Sequence, residues 1–358
     1  MLLITIIVFV VMLLVLVLVH ELGHFIVAKR AGCRVEEFAF GFPPRLWSIK
    51  RGGTLFTFNL LPIGGYVKIE GEDDQDVNPG PTSFASKSIP WRLTILAAGV
   101  AMNIVLAVVL LTWQGLVGVP TLVTDVNYNQ VQDRRTFIVG VDEGTPAMEA
   151  GLKALDRIVR IDSVIDPTIE QVQQVVKESA GQKVDLEVER QGSHIVIAAV
   201  PRVEIAPGEG PLGITLQMTG LEHISWWKAP WYGVTRTASA GWMIGTEFTK
   251  VLGRLIAQRG VSEAVAGPIG IAVYTNEMTN LGLSYILEFA AFISMNLAII
   301  NILPIPALDG GRILFVILEA IFRRKVPAKI EYISHMTGFG LLIILMILIT
   351  FRDISRYL

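Results

Sequence analysis

The sequence predicts a polytopic α-helical membrane protein with four transmembrane helices, a small membrane-associated β-sheet and an inserted α+β domain. Of its 358 residues, 52% are hydrophobic and only 17% are charged, an apolar fraction too high for an ordinary soluble enzyme. Three stretches reach or approach the roughly 20 apolar residues that a spanning helix needs. A long segment between them has the interspersed charges of a soluble domain.

The three uninterrupted apolar stretches are residues 1–19, 93–119 and 336–351. A fourth, residues 283–318, is interrupted by "NILPIPALDGG". The first stretch has neither a basic n-region nor a small-residue cleavage site after it, so we expect it to remain in the mature protein. The single cysteine, Cys33, excludes an intramolecular disulfide.

Lysine and arginine next to the spans predict the orientation, because short basic loops stay in the cytoplasm. Both short loops between spans are basic, so the N-terminus, the long segment at 120–280 and the C-terminus are expected outside, against the modest counter-evidence of Arg352 and Arg356. The basic residues are Lys29, Arg30, Arg34, Arg45, Lys50, Arg51 and Arg92 between the first two spans, and Arg323, Arg324, Lys325 and Lys329 between the last two. The sequence has no run of basic residues that would indicate binding to nucleic acid.

Two segments between the spans are expected to contact the lipid bilayer. Residues 36–70 alternate in polarity and are punctuated by Gly and Pro, which predicts short strands joined by turns. Because the segment is apolar and lies between spans, its backbone is expected to be buried in protein or to line a wet cavity. Residues 224–259 mix four tryptophans with charges, which favours amphipathic helices at the interface, with a fifth span as the alternative.

The motif His20-Glu21-Leu22-Gly23-His24 stands at the end of the first apolar stretch. On a helix this H-E-x-x-H spacing places both imidazoles on one face, where they chelate one zinc ion beside the glutamate. A histidine in an arbitrary sequence is usually a hydrogen-bonded or solvent-exposed side chain and not a metal ligand. Ionisable groups inside a span cost several kcal/mol unless they are paired, coordinated or hydrated, so the sequence favours a metal site.

A catalytic zinc ion needs a third protein ligand and leaves its fourth position to water. Asp309 is the strongest candidate, because Pro304 and Pro306 break the helix just before it and Gly310-Gly311 permit close packing. The alternative is a proline-kinked helix in which Asp309 only caps the segment that follows.

The outer segment resembles the PDZ family in "TFIVGVDEGTPAMEAGLKALDRIVRIDS", a helix at 168–179 and strands at 184–190 and 195–200. In circularly permuted PDZ domains the carboxylate-binding loop comes last, which assigns it to Gly210, Leu212, Gly213 and Ile214 of "GPLGITLQ". A plain turn before a final strand is the alternative. The resemblance implies either a carboxylate receptor or a steric filter that admits only trimmed substrates.

Nearly the whole chain resembles the site-2 proteases, specifically the regulator-of-sigma-E protease branch of bacteria. The similarity rests on "HELGH", "LLPIGGYVKIEGED", "SFASKSIPWRLTILAAGVAMN", "VAGPIGIA", "SMNLAIINILPIPALDGGRILF" and "FRDISRYL". It implies a zinc cofactor held by His20, His24 and Asp309, with Glu21 as general base. It also implies substrate binding by Asn301 and by Gly41, Gly64 and Gly65 of the small sheet, although an interhelical hydrogen bond is the alternative role for Asn301.

Three features depart from that branch. Its enteric members carry two tandem PDZ modules, whereas this chain has room for one. The loop "FGFGP" reads "FGFPP", and "AGP" before the asparagine of the second span reads Ala98-Gly99-Val100.

The resemblance implies an intramembrane zinc metalloprotease in the bacterial cytoplasmic membrane. It would cleave within or next to the transmembrane segment of single-span substrates, such as an anti-sigma factor already cut outside the membrane or signal-peptide remnants, in regulated intramembrane proteolysis and stress response. An exposed edge of the small sheet would bind the unwound substrate as an added strand. The competing hypothesis is a zinc carrier or PDZ receptor with a structural metal, although a carrier should show more spans and paired repeats.

The predicted organisation has eight parts. They are a first transmembrane helix (1–30), a cytoplasmic-side β region (31–90), a second transmembrane helix (91–119), an extracytoplasmic PDZ domain (120–220), interfacial helices (221–280), a third, proline-broken transmembrane helix (281–320), a cytoplasmic loop (321–334) and a fourth transmembrane helix with the tail (335–358).

Overall fold

A computed structural model of the protein describes residues 2–72, 80–190, 192–204, 210–256, 267–324 and 326–357. Val265 and Ala266 of the predicted "VAGPIGIA" motif and Lys325 of the basic loop lie outside these ranges. The chain divides into two compact units. The first comprises residues 1–113, 230–279 and 286–358, and the second comprises residues 114–229 and 280–285.

In the described part of the chain, the first unit is built from seven helices and one hairpin. The helices are α1 (Leu2–Arg30), α2 (Ile89–Val117), α5 (Ala229–Ile256), α6 (Pro268–Leu281), α7 (Leu283–Ile302), α8 (Asp309–Phe322) and α9 (Ala328–Tyr357). Helices α2, α5, α6 and α7 each extend by one to four residues into the second unit, to which α3 (Pro146–Ala150) and α4 (Ile169–Glu178) belong wholly.

Four of the described helices are long and apolar enough to cross a membrane, which is the number the sequence predicts. These stretches are Leu3–Arg30 in α1, Ile89–Val117, which is α2, Leu283–Ile302, which is α7, and Lys329–Arg356 in α9. The predicted third span is divided as expected, because α7 ends at Ile302 and α8 begins at Asp309. Helix α5 is a single long amphipathic helix and does not qualify as a span.

The small sheet consists of β1 (Val35–Arg51) and β2 (Thr54–Ile69), paired antiparallel. The prediction of short strands was wrong about length, because the backbone forms two long strands. Each strand bends partway, however, so that residues 37–40 pair with both halves of β2. The segments therefore lie in the order 45–51, 54–59, 35–42 and 61–69, and the first and last are the edges of the sheet.

Apolar side chains join these elements of the first unit. Residues from α1, the two ends of the hairpin, α2 and α8 share one buried cluster, which includes Cys33, a free thiol. A second cluster joins α1 to α7, and a third joins α2 to α5 and α7. Burial of each such side chain stabilises the fold by about 1.5–3 kcal/mol in water, and close packing takes over that role where the surroundings are lipid.

The second unit contains an antiparallel sheet that covers two short helices. Its strands are β3 (Val119–Leu122), β4 (Val131–Val141), β5 (Arg157–Ile161), β6 (Val164–Ile165), β7 (Val184–Arg190), β8 (Ser193–Ala199) and β9 (Ile214–Glu222), with α3 (Pro146–Ala150) and α4 (Ile169–Glu178) between them. The sheet order is β3-β9-β4-β5-β7-β8, and β6 pairs with β5. Thr168 and Gln171 form a reciprocal capping box that starts α4, close to the predicted boundary.

Candidate metal centre

Helix α1 presents His20 and His24 on one face, four residues apart, as the motif requires. Their Nε2 atoms are 3.3 Å apart. The side chains are 11% and 10% exposed, so both imidazoles are almost removed from solvent.

Asp309 completes the cluster from the other end of the sequence. Its Oδ2 atom lies 3.1 Å from His20 Nε2 and 3.4 Å from His24 Nε2. The segment between α7 and α8 turns sharply, with Ala307 at φ 79°, and this turn sets the first residue of α8 against α1. The capping alternative is wrong, because Leu308 is the N-cap of α8 and no side chain caps it.

The three ligand atoms fit a zinc ion. Tetrahedral zinc with bonds of about 2.0–2.1 Å holds its ligand atoms about 3.3 Å apart, and the three measured separations lie within 0.2 Å of that spacing. Asp309 Oδ2 is buried and has no hydrogen-bond partner in the described part of the chain. A buried carboxylate oxygen without a donor is unfavourable unless a cation binds it. Among the described residues, this is the one cluster of potential ligands close enough to share an ion.

Glu21 is held beside these ligands by the hairpin. Its carboxylate accepts a hydrogen bond from the Val67 backbone N–H and interacts electrostatically with His20, His24 and Asp309. Gly65 lies against the same side chain, because a Cβ atom there would stand 3.5 Å from Glu21 Cγ. The edge segment 61–69 therefore reaches the predicted general base.

Helix α2 supplies contacts that the sequence reasoning missed. The Ile95 carbonyl oxygen lies 2.9 Å from His24 Nδ1, and Asn103 Nδ2 lies 3.2 Å from His20 Nδ1. A Cβ atom on Gly99 would stand 2.3 Å from His24 Nε2. Asn103, the one asparagine in an apolar helix, was a usable signal, because polar side chains in spans are expensive.

The other residues predicted to bind substrate lie in α7 and in the hairpin. Asn301 stands at the penultimate position of α7, before the turn to Asp309. Gly41 and Gly64 adopt positive φ where the two long strands bend. Their roles in substrate binding, like that of Asn301, stay predictions.

The four residues predicted as a carboxylate loop belong to the second unit. Gly210, Leu212 and Gly213 precede β9, and Ile214 is its first residue. The Leu212 carbonyl oxygen accepts from Ala147 N–H, and the Gly213 carbonyl oxygen accepts from Asp142 N–H. The loop is thereby fixed against the start of α3.

The membrane-spanning helices and the His-His-Asp cluster beside a glutamate define a metal-dependent membrane peptidase. The chain matches Peptidase family M50 over residues 8–345. It therefore belongs to that family, whose members are site-2 type zinc metalloproteases, and its cofactor is zinc.

Named relatives extend over almost the whole chain. A zinc metalloprotease RasP from Oceanobacillus iheyensis is 32% identical over 98% of this chain and 99% of its own length. A putative zinc metalloprotease from Clostridium acetobutylicum is 33% identical over 95% and 94% of the two chains. The regulator of sigma-W protease RasP from Bacillus subtilis is 29% identical over 98% of each.

Proposed function

We propose that this protein hydrolyses a peptide bond within or next to the transmembrane segment of single-span membrane proteins, in the bacterial cytoplasmic membrane. The observation that carries the proposal is the His20, His24 and Asp309 cluster. Two of its ligands belong to the first candidate span, and the third follows the end of the third span. Ligands so placed favour chemistry on a peptide bond that lies in or near the bilayer.

The chain's own residues divide the reaction between them. His20, His24 and Asp309 would hold the zinc ion, which when bound activates water and polarises a carbonyl group. Glu21 accepts the proton from the attacking water and delivers it to the leaving amine. The Val67 N–H keeps the carboxylate of Glu21 oriented for both transfers. Asn301, just before the turn to Asp309, would donate a hydrogen bond to the substrate backbone.

A membrane-bound regulator of a sigma factor is the substrate class we favour, after a first cut outside the membrane. One relative is named for regulation of sigma-W, which supports this class, and signal-peptide remnants have the same single-span chemistry. The basic short loops support the predicted orientation, with both termini and the second unit outside the cytoplasm.

The second unit is proposed to act as a PDZ module that filters substrates. Strand β9 follows the predicted carboxylate loop and pairs with β4 along one edge, whereas β3 covers only residues 219–222 of the other edge. A C-terminal peptide would add to the uncovered part. Binding of a free C-terminal peptide in preference to its amidated form, measured by fluorescence anisotropy, tests this; equal binding of both forms would favour the size filter.

The hairpin is proposed to bind the unwound substrate as an added strand. A helical substrate loses its own backbone hydrogen bonds when it opens, and a free strand edge replaces them. The edge segment 61–69 is the better candidate of the two edges, because its Gly65 and Val67 contact Glu21. The opposite edge, residues 45–51, has no such contact.

Cysteine cross-linking tests which of the two edges of the hairpin binds the substrate. In a Cys33→Ala, Glu21→Gln background, Tyr66→Cys should form a disulfide with a cysteine near the scissile bond of the substrate, and Trp47→Cys on the opposite edge should not. Equal yields at both positions would reject the assignment of the edge.

The central experiment compares purified Glu21→Gln with the wild type in zinc content and in cleavage of a labelled single-span substrate. We expect full zinc occupancy, because no ligand is changed, and a cleavage rate lower by about 10²–10⁴-fold, because the proton acceptor is lost. Glu288→Gln is the matched control, since Glu288 is also a glutamate of a candidate span but pairs with Arg236 and is not one of the clustered residues. Undiminished cleavage by Glu21→Gln would overturn the mechanism.

A further inference from the structure

One stripe of helix α2 faces the metal ligands of α1. Ile95, Gly99 and Asn103 are spaced four residues apart, so they lie on the same side of the helix, one turn above another. Ile95 lies next to His24, Asn103 lies next to His20, and Gly99 lies beside the Nε2 atoms of both histidines. Successive turns of α2 thus contact the two histidines of α1 at the metal centre.

The contact between His24 and Ile95 determines which nitrogen of the His24 imidazole carries the proton. A backbone carbonyl oxygen only accepts hydrogen bonds, so the Nδ1 atom of His24 at 2.9 Å carries the proton. In a neutral imidazole the other nitrogen, Nε2, then has a free lone pair. That is the nitrogen of His24 that faces Asp309.

The contact between His20 and Asn103 is unfavourable as long as the side-chain amide of Asn103 points its nitrogen towards His20. Nε2 of His20 also faces Asp309, so metal binding requires its Nδ1 to carry the proton. Asn103 Nδ2, a donor, lies 3.2 Å from that atom. Meanwhile Asn103 Oδ1 is buried and has no hydrogen-bond partner among the described residues. Two donors face each other while an acceptor is left unsatisfied.

A half-turn of the amide of Asn103 resolves both faults, because it exchanges two atoms of nearly equal size. We propose that Asn103 is a positioning residue for the zinc site: its Oδ1 accepts a hydrogen bond from His20 Nδ1–H and so holds the imidazole in the tautomer that binds metal through Nε2. Together with the Ile95 carbonyl oxygen, it makes α2 the element that orients both histidine ligands.

The surroundings of Asn103 suit a fixed acceptor. Its side chain is fully buried, and its backbone carbonyl oxygen accepts a hydrogen bond of 2.8 Å from the Ser294 hydroxyl of α7. That bond ties this turn of α2 to a third helix. Outer partners of this kind typically change metal affinity by about 10–100-fold when they are lost.

The test measures zinc affinity of the full chain in detergent, by competition with a chelator, for Asn103→Leu and Asn103→Asp. Leucine keeps the volume and removes the acceptor, so we expect affinity to fall by about 10–100-fold, with recovery of occupancy in excess zinc. Aspartate keeps an acceptor oxygen, so affinity should stay within a few-fold of the wild type. In the cobalt-substituted protein, the tetrahedral absorption should weaken for leucine only.

Asn296→Leu is the matched control, because the side chain of Asn296 donates its hydrogen bond within α7, to the Phe292 carbonyl oxygen. Asn103→Ala serves if leucine does not fit, with thermal unfolding of the metal-free chain compared in every case. Unchanged affinity in Asn103→Leu or Asn103→Ala would overturn the proposal. So would equal losses in the leucine and aspartate variants, which would make the amide N–H the essential group. None of these readouts depends on the proposed substrate.

Discussion

Replacement of Gly99 by alanine is the sharpest perturbation of the metal centre that leaves every ligand in place. A Cβ atom at this position would stand 2.3 Å from His24 Nε2, 2.6 Å from His20 Cε1 and 2.7 Å from His20 Nε2. The nearest of these contacts is at least 1 Å shorter than ordinary van der Waals contact, which begins at 3.4 Å. The added methyl group therefore competes with the bound metal for the same space.

Two structural responses are available, and both weaken zinc binding. If the imidazoles move by about 1 Å, they leave the range of about 0.2 Å within which zinc–nitrogen bonds are held. If α2 withdraws instead, the contacts of Ile95 and Asn103 with the histidines are broken. We therefore expect zinc affinity to fall by at least about 100-fold, equivalent to about 2.7 kcal/mol.

The assay is zinc content after equilibration and desalting, together with chelator competition, for Gly99→Ala and for Gly340→Ala. Gly340 is a helical glycine of α9 whose added Cβ would meet no atom within 4 Å, so its variant should bind zinc like the wild type. Thermal unfolding of the metal-free proteins checks that both fold. Full zinc occupancy and normal affinity in a folded Gly99→Ala protein would refute this reasoning.

Three further predictions concern other contacts. Asp309→Ala should lower zinc affinity by 100-fold or more, as judged by chelator competition, and unchanged affinity would place the third ligand elsewhere. Thr168→Ala removes the capping box of α4 and should speed amide exchange of that helix about fivefold, for a loss of about 1 kcal/mol; unchanged exchange would count against the cap. Asp353→Asn weakens the bond from the Gly270 N–H at the start of α6 and should raise proteolysis there, whereas Asp133→Asn on an exposed strand should not.

The clustering of His20, His24 and Asp309 could be predicted from the sequence because each residue has a local signal. The spacing of His20 and His24 acts through the helical period, and two prolines predict the break that brings Asp309 into position. The division of the third span into α7 and α8 follows from the same two prolines. These features depend only on residues that are close together in the sequence.

The contribution of α2 could not be predicted in the same way. A backbone carbonyl such as that of Ile95 has no sequence signal, and the register between two spanning helices is set by packing over their whole length. Gly99 was noticed only as part of a departure from a family pattern. Asn103 was the one contact residue of α2 that the sequence could have indicated, since an asparagine in an apolar spanning helix requires a hydrogen-bond partner. The small sheet was misjudged in length for a related reason, because bends within continuous strands depend on pairing across the sheet.

Helix α8 shows how the third ligand is kept in place. Asp309, Arg312, Val316 and Glu319 recur at spacings of three and four, so they share one face of the helix. Arg312 pairs with Glu72, Val316 joins the buried cluster of α1, α2 and the hairpin, and Glu319 pairs with Arg92 at 2.7 Å. The last two side chains are only 17% and 14% exposed, and breaking such a shielded pair typically costs several kcal/mol. A single face of α8 thus carries Asp309 of the candidate metal centre and also contacts the elements that carry the other candidate ligands, which makes the position of Asp309 a property of the assembled helices and not of its own turn.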